Sequence, residues 1–178
     1  MADVVAKAAE YARVAHESID QRRKYTNDPY IVHPKSVAGI VATVTDDPAT
    51  IAAAWLHDVV EDTPITLEQL AEEFGADIAG LVSDLTNAST NRDGNRQQRK
   101  AIDCQHTAQA DPRAKTVKLA DLIDNLSDLS TADPGFARLY LGEKRLQLKV
   151  LTEGNSELFQ RVQGIIENEL QVLATRNL

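Results

Sequence analysis

Positions 49 to 56, ATIAAAWL, carry no charged side chain, and the run ends in HDVVED, a histidine and three carboxylates within six residues. A helical segment that is apolar on every side is buried on all faces rather than lying along a surface. A chain containing one must wrap other helices around it. Drawn as one helix from Ala49 into Thr63-Pro64, at about 100° per residue, His57, Asp58, Glu61 and Asp62 share one arc, with Leu56, Val59 and Val60 on the other. The carboxylates are then expected in or beside the core. They also fall at a helix C-terminus, where negative charge is disfavoured by a few tenths to about 1 kcal/mol each. Buried carboxylates without partners shift their pKa or unfold the chain. A divalent cation accepting His57 and Asp58, with Glu61 and Asp62 free beside it, is the simplest compensation. The plainer alternative is a helix end whose charges are hydrated.

The rest of the chain reads as helix as well. Val4, Val5, Ala8, Tyr11, Ala12, Ala15 and Ile19 recur at three and four, forming one stripe of a first helix. Pro34 suits the first turn of a second, and Asp46-Asp47-Pro48 forms a turn and N-terminus for the third. Thr66 to Gln69 matches a capping box, and Gly75 is placed to stop that helix. Helical patterns follow over about 77–87, 96–110, 113–129, 136–151 and 156–175, with loops at 88–95 (ASTNRDGN) and 131–135 (TADPG). No run alternates like a strand. The expected class is all-α, a single-domain compact helical bundle over residues 1–178.

Composition narrows the function. With 27 acidic against 19 basic residues the net charge is −8, which repels nucleic acid and anionic membrane unless basic residues cluster. Aromatic content of 4% leaves few platforms for stacking a single strand. The one cysteine, Cys104, cannot form an internal disulfide, and no stretch reads as a signal peptide or membrane span. A cytoplasmic setting is expected, with no nucleic-acid or membrane partner; the sequence does not specify an oligomeric state.

Further ligands for an ion stand elsewhere. His33 lies in PYIVHP, flanked by apolar residues and two prolines. Asp121 lies in VKLADLIDNLSDL, where Lys118, Asp121, Asn125 and Asp128 form one polar stripe opposite Leu119, Ile123 and Leu126. Singly, each has a bland explanation, as a helix-start histidine and as part of a solvated face.

In combination, PYIVHP, AAWLHDVVEDT, FG at 74 to 75 and VKLADLIDN resemble the HD-domain metal-dependent phosphohydrolases. The likeness is closest to the hydrolase domain of RelA/SpoT enzymes and the stand-alone small alarmone hydrolases, over about 4–151, with a C-terminal helix beyond it. The resemblance implies one divalent metal, usually manganese, bound by His33, His57, Asp58 and Asp121. Two imidazoles with two carboxylates suit Mn, Fe, Co or Zn. It further implies removal of the 3′-pyrophosphate of guanosine tetra- or pentaphosphate, or of the adenosine analogues, giving the 5′-nucleotide and pyrophosphate. Glu61 and Asp62 match the family's Glu-Asp pair, which positions the attacking water and transfers its proton. Arg23, Lys24, Arg96 and Asn125 match substrate-binding positions.

Two departures stand out. Leu122 follows Asp121 where relatives often carry a basic residue, and Tyr140 and Lys144 stand where animal relatives show an Arg and a Tyr one turn apart. An exchange of aromatic and cationic roles between those positions is expected, which bears on the choice of purine. The synthetase and regulatory segments of the long enzymes are not expected here. The rival reading is an HD nucleotidase or phosphatase acting on another phosphorylated nucleotide such as NADPH, and a non-catalytic nucleotide sensor is the reading from a different class. His16 and His106 are expected to be a structural and a surface histidine, Cys104 a small helix residue and Trp55 a core residue.

Overall fold

The computed structural model describes residues 3–129 and 133–176. Its centre is α3 (Pro48–Leu56), begun by the Asp47 side chain accepting from Thr50 N at 3.1 Å, with Pro48 in the first turn. Ala52, Ala53, Ala54 and Leu56 are fully buried, and Trp55 packs half-buried against the core. Around α3 stand α1 (Val4–Ser18), α2 (Val32–Ala42), α6 (Ala76–Leu85) and α8 (Pro112–Ser127). α8 is the second interior helix. It buries Val117, Leu119, Ala120, Leu122 and Ile123, and it packs on α2, α3, α6 and the long α10 (Ser156–Thr175). Leu122 therefore faces the core, which accounts for an apolar side chain after Asp121.

α4 (Val59–Asp62) is a single turn, and α5 (Leu67–Phe74) carries the expected Thr66–Gln69 capping box and ends at Gly75, whose φ of 88° is left-handed. α7 (Arg96–Ala108) begins with a second capping box, Asn95 with Gln98. α9 (Pro134–Leu148) lies against α10. The all-α expectation holds: among the described residues there is no strand, only an isolated bridge between Arg22 and Pro29. No helix among them is long and apolar enough to cross a membrane. The loop expected at 131–135 falls partly outside the described residues; its end, Pro134 and Gly135, already belongs to α9.

The helix drawn through Thr63 is not continuous. It stops at Leu56, turns at His57 and Asp58, and resumes as α4. The Ala54 carbonyl, which a continuing helix would offer to the Asp58 N–H, instead accepts from the His57 ring at Nδ1, 2.7 Å away. Glu61 and Asp62 consequently lie in the only turn of α4 rather than at the end of a long helix, and the dipole penalty expected for them does not apply.

Candidate active site

His33 enters from the first turn of α2, where its N–H bonds to Tyr30 O at 2.9 Å. His57 and Asp58 come from the α3–α4 turn, and Asp121 from the middle of α8. Ligand atoms of His33, His57 and Asp58 all lie within 4.8 Å of one another. Asp121 Oδ1 is 3.0 Å from His33 Nε2 and 3.5 Å from His57 Nε2. Asp58 Oδ2 stands 3.6 and 3.0 Å from the same two nitrogens. Positions 33, 57, 58 and 121 are thus brought to one point, with both imidazoles and Asp121 buried.

Each ring is turned so that Nε2 faces that point. His33 Nδ1 bonds to Asp124 Oδ2 at 2.6 Å, and His57 Nδ1 donates to the Ala54 carbonyl. A partner on one ring nitrogen fixes tautomer and orientation and leaves the other as the ligand atom. Asp124 is itself held by Ser36 Oγ at 2.6 Å and Arg23 at 3.0 Å. Asp58 accepts from Tyr30 OH at 2.6 Å, and Asp121 from Lys118 Nζ at 2.7 Å and Asn125 Nδ2 at 2.9 Å.

The electrostatics fit a cation. Burial works against charge on the imidazoles, yet Asp121 and Asp124 raise the His33 pKa, and Asp58 and Asp121 lift that of His57 well above the ordinary value. Burial equally opposes charge on Asp121, but Lys118 and the two histidines hold it well below the usual carboxylate range. His57 Nε2 is buried with no hydrogen-bond partner among the described residues; the nearby Asp58 oxygen lies outside hydrogen-bonding geometry. A buried nitrogen left without a partner, in a strongly negative field, beside carboxylate oxygens, is a donor set suited to a divalent ion.

Residues 8–143 match the HD domain family. The chain belongs to that family. It is 39% identical over 129 residues to the guanosine-3′,5′-bis(diphosphate) 3′-pyrophosphohydrolase MESH1 of Drosophila melanogaster, covering 70% of this chain and 69% of that protein. Identity to the MESH1 of Xenopus tropicalis is 38% over 137 residues, covering 75% and 73%. The chain spans only 16% of the probable GTP pyrophosphokinase of Mycobacterium leprae, to which it is 40% identical over 132 residues. In three dimensions it matches a metazoan ortholog of SpoT that hydrolyses ppGpp, with a TM-score of 0.84 at 29% identity over 95% of this chain and 97% of that one.

Beside the HD centre, Glu61 accepts from Asn87 Nδ2 at 2.8 Å and Asp62 from Gln21 Nε2 at 3.0 Å. Burial, reinforced by Asp58, raises both pKa values. Both carboxylates line a cleft of about 280 Å³ with Asp58, Asp121, Asn125, Lys100, Lys118, Lys144 and Tyr140. Tyr30, Asn125 and Tyr140 also border a second hollow of about 240 Å³, walled by Arg23, Lys24, Tyr25 and Phe136. The HD centre thus sits between a chamber rich in charge and one rich in aromatic rings.

The expected substrate-binding positions are not equally free. Arg23 is nearly buried between Asp124 and Asp128, and Arg96 pairs through two bonds with Glu143. Lys24 lies over the Tyr25 and Phe136 rings. Lys144 is buried over the Tyr140 ring, its Nζ 3.5 Å from Gln147. Burial, with Lys118 and Lys100 nearby, lowers its pKa to about 7.

Several groups around the HD centre escape a reading of the sequence. Asp124 lies one turn from both Asp121 and Asp128, but its partner is a residue 91 positions away that spacing on α8 does not show. Tyr30, Ser36, Gln21 and Asn87 carry no motif signal beyond their place in PYIVHP, in α2 or in a loop. Lys118 is within reach of such a reading, because it stands three residues before Asp121 on the same face. His106 is half-buried rather than a surface histidine, bonding through Nε2 to Ser83 O at 2.9 Å.

Proposed function

We propose that this protein hydrolyses the 3′-pyrophosphate of purine alarmones, (p)ppGpp, (p)ppApp or both, releasing pyrophosphate and the 5′-nucleotide. The observation that carries the reading is an HD centre flanked by a lysine-lined cleft and an aromatic chamber that share Tyr30, Asn125 and Tyr140. The names of the MESH1 relatives and of the SpoT ortholog support the substrate class.

His33, His57, Asp58 and Asp121 would hold one divalent ion, for which we propose Mn²⁺ on the family likeness. Such an ion, when bound, lowers the pKa of water and polarises the phosphoryl oxygen under attack. Glu61 and Asp62 orient the water and take its proton; pKa values lifted toward neutrality make carboxylates better proton acceptors at physiological pH. Lys100, Lys118 and Lys144 face the charge that develops on the departing pyrophosphate. Tyr25, Tyr30, Phe136 and Tyr140 offer faces to base and ribose, with Lys24 and Asn125 at their edge. The whole belongs to one hydrolase domain acting on a small nucleotide in the cytoplasm.

The test is incubation with Mn²⁺ and, separately, ppGpp, ppApp and NADPH, followed by chromatography of products. Pyrophosphate from a 3′-pyrophosphorylated purine is the expected result. Inactivity on all of them overturns the proposal, and orthophosphate from NADPH alone would favour a phosphatase.

A further inference from the structure

α1 ends in a turn that leads straight to the catalytic carboxylates. Asp20, with φ of 48°, takes the left-handed position. Its N–H bonds to Glu17 O at 3.0 Å, and the Gln21 N–H reaches back to His16 O at 3.1 Å, which are the two bonds of a Schellman motif. The turn lays Gln21 over His16. A side-chain bond then joins the same two residues, His16 Nδ1 to Gln21 Oε1 at 2.8 Å, and the Gln21 amide continues to Asp62 Oδ2 at 3.0 Å. The Gln21 carbonyl also accepts from Tyr30 N at 2.9 Å, and Tyr30 donates to Asp58.

The polarity of this chain is determined. A carboxylate accepts only, so the NH₂ of Gln21 must face Asp62 and its Oε1 must face His16. His16 must then carry its proton on Nδ1. Burial lowers the pKa of His16, which keeps the ring neutral, and its Nε2 is buried with no hydrogen-bond partner among the described residues. The side-chain hydrogen bond that His16 makes is therefore the one through Nδ1, to Gln21.

We propose that His16 and Gln21 are positioning residues for catalysis: the Nδ1–H of His16 fixes the amide orientation of Gln21, which fixes the Asp62 carboxylate in the cleft. This rests on the proton-transfer or water-orienting role given to Asp62 above. Gln21 holds one oxygen of Asp62, leaving the other for the water. Neither His16 nor Gln21 lines either chamber.

The test compares kcat, KM, bound Mn²⁺ and melting temperature in single variants. His16→Leu and Gln21→Leu are each expected to lower kcat about tenfold, with KM within about twofold and metal content unchanged. The double variant should be no worse than either single one, because both break the same chain. His16→Asn supplies an N–H where Nδ1–H stands and recovers most of the turnover. His16→Leu, which has no N–H to offer, recovers nothing. Equal kcat for the Asn and Leu variants, or full turnover in Gln21→Leu, overturns the proposal. Should the His16 variants not fold, Gln21, half-buried in a turn, carries the test alone. Asp62→Asn separates the two levels: if it is fully active the catalytic reading itself fails, whereas an inactive Asp62→Asn beside a fully active Gln21→Leu removes only the positioning chain.

Discussion

The two walls of the cleft are held in different ways. On the wall built by α2, the α3–α4 turn and α8, each of His33, His57, Asp58, Glu61, Asp62 and Asp121 is fixed by at least one hydrogen bond, the two rings donating to Asp124 and Ala54 and the carboxylates accepting from Tyr30, Asn87, Gln21 and Lys118. On the facing wall, Lys144 of α9 has a 3.5 Å contact to Gln147 and a ring beneath it, and its neighbours Lys118 and Lys100 repel its charge. Arg23 and Arg96 are already neutralised by carboxylates. The first wall is finished before any ligand arrives. The second keeps one buried lysine whose charge is disfavoured in the free protein and would be stabilised by an incoming polyanion.

Four experiments would break or sharpen that contrast. Removing a donor from the ordered wall should do most: Asp58→Ala is expected to lose bound metal and at least about 1,000-fold in turnover, read by metal analysis and product release, since an ion contributes several kcal/mol at the reacting phosphoryl group. Glu61→Gln should keep the metal and lose roughly 100- to 10,000-fold in kcat; retention of full activity would contradict its role. Asp124→Asn should weaken metal binding by roughly 10- to 100-fold in a chelator competition, because it orients His33 without being a ligand.

The smallest effect belongs to the other wall. Lys144→Met should raise KM by about tenfold at pH 6, where the lysine is charged, with a smaller difference at pH 9, where it is neutral in the free enzyme. Stability should move the opposite way. Between about pH 7 and 10.5 the unfolded chain holds a proton on Lys144 that the folded one has released, so its stability rises with pH across that window, and the cost of burial is fully felt below it. Thermal melts of Lys144→Met at pH 6 should therefore show stabilisation, on the order of a few kcal/mol. A melting profile identical to that of the unsubstituted protein would mean that the lysine is not buried as a cation.

The sequence made the ordered wall legible in part. Positions 33, 57, 58 and 121 could be named because their residue types stand in recognisable contexts, and the capping signals at Asp47, Thr66 and Gly75 located three helix ends. The break at His57 was hidden, since only coordinates reveal a ring competing with a backbone N–H for one carbonyl. The partners of the proposed ligands were hidden for another reason. Asp124 and Gln21 act across 91 and 41 positions of chain, and a polar residue on a helix buried nearly all round reads as a solvated one until the opposing element is known. The pairing of Arg96 with Glu143 is likewise a long-range event that a charge count cannot show.

α8 runs through the interior, and Asp121 sits halfway along it with 4% of its surface exposed. A ligand on a surface loop can swing aside and let an ion escape during a brief local fluctuation. Under the proposed ligation, release of that oxygen would require displacing a helix that also forms the hydrophobic centre, so departure of a bound ion would be tied to large-scale opening of the domain. Chelators should then strip it slowly, at a rate that follows amide exchange in the middle of α8.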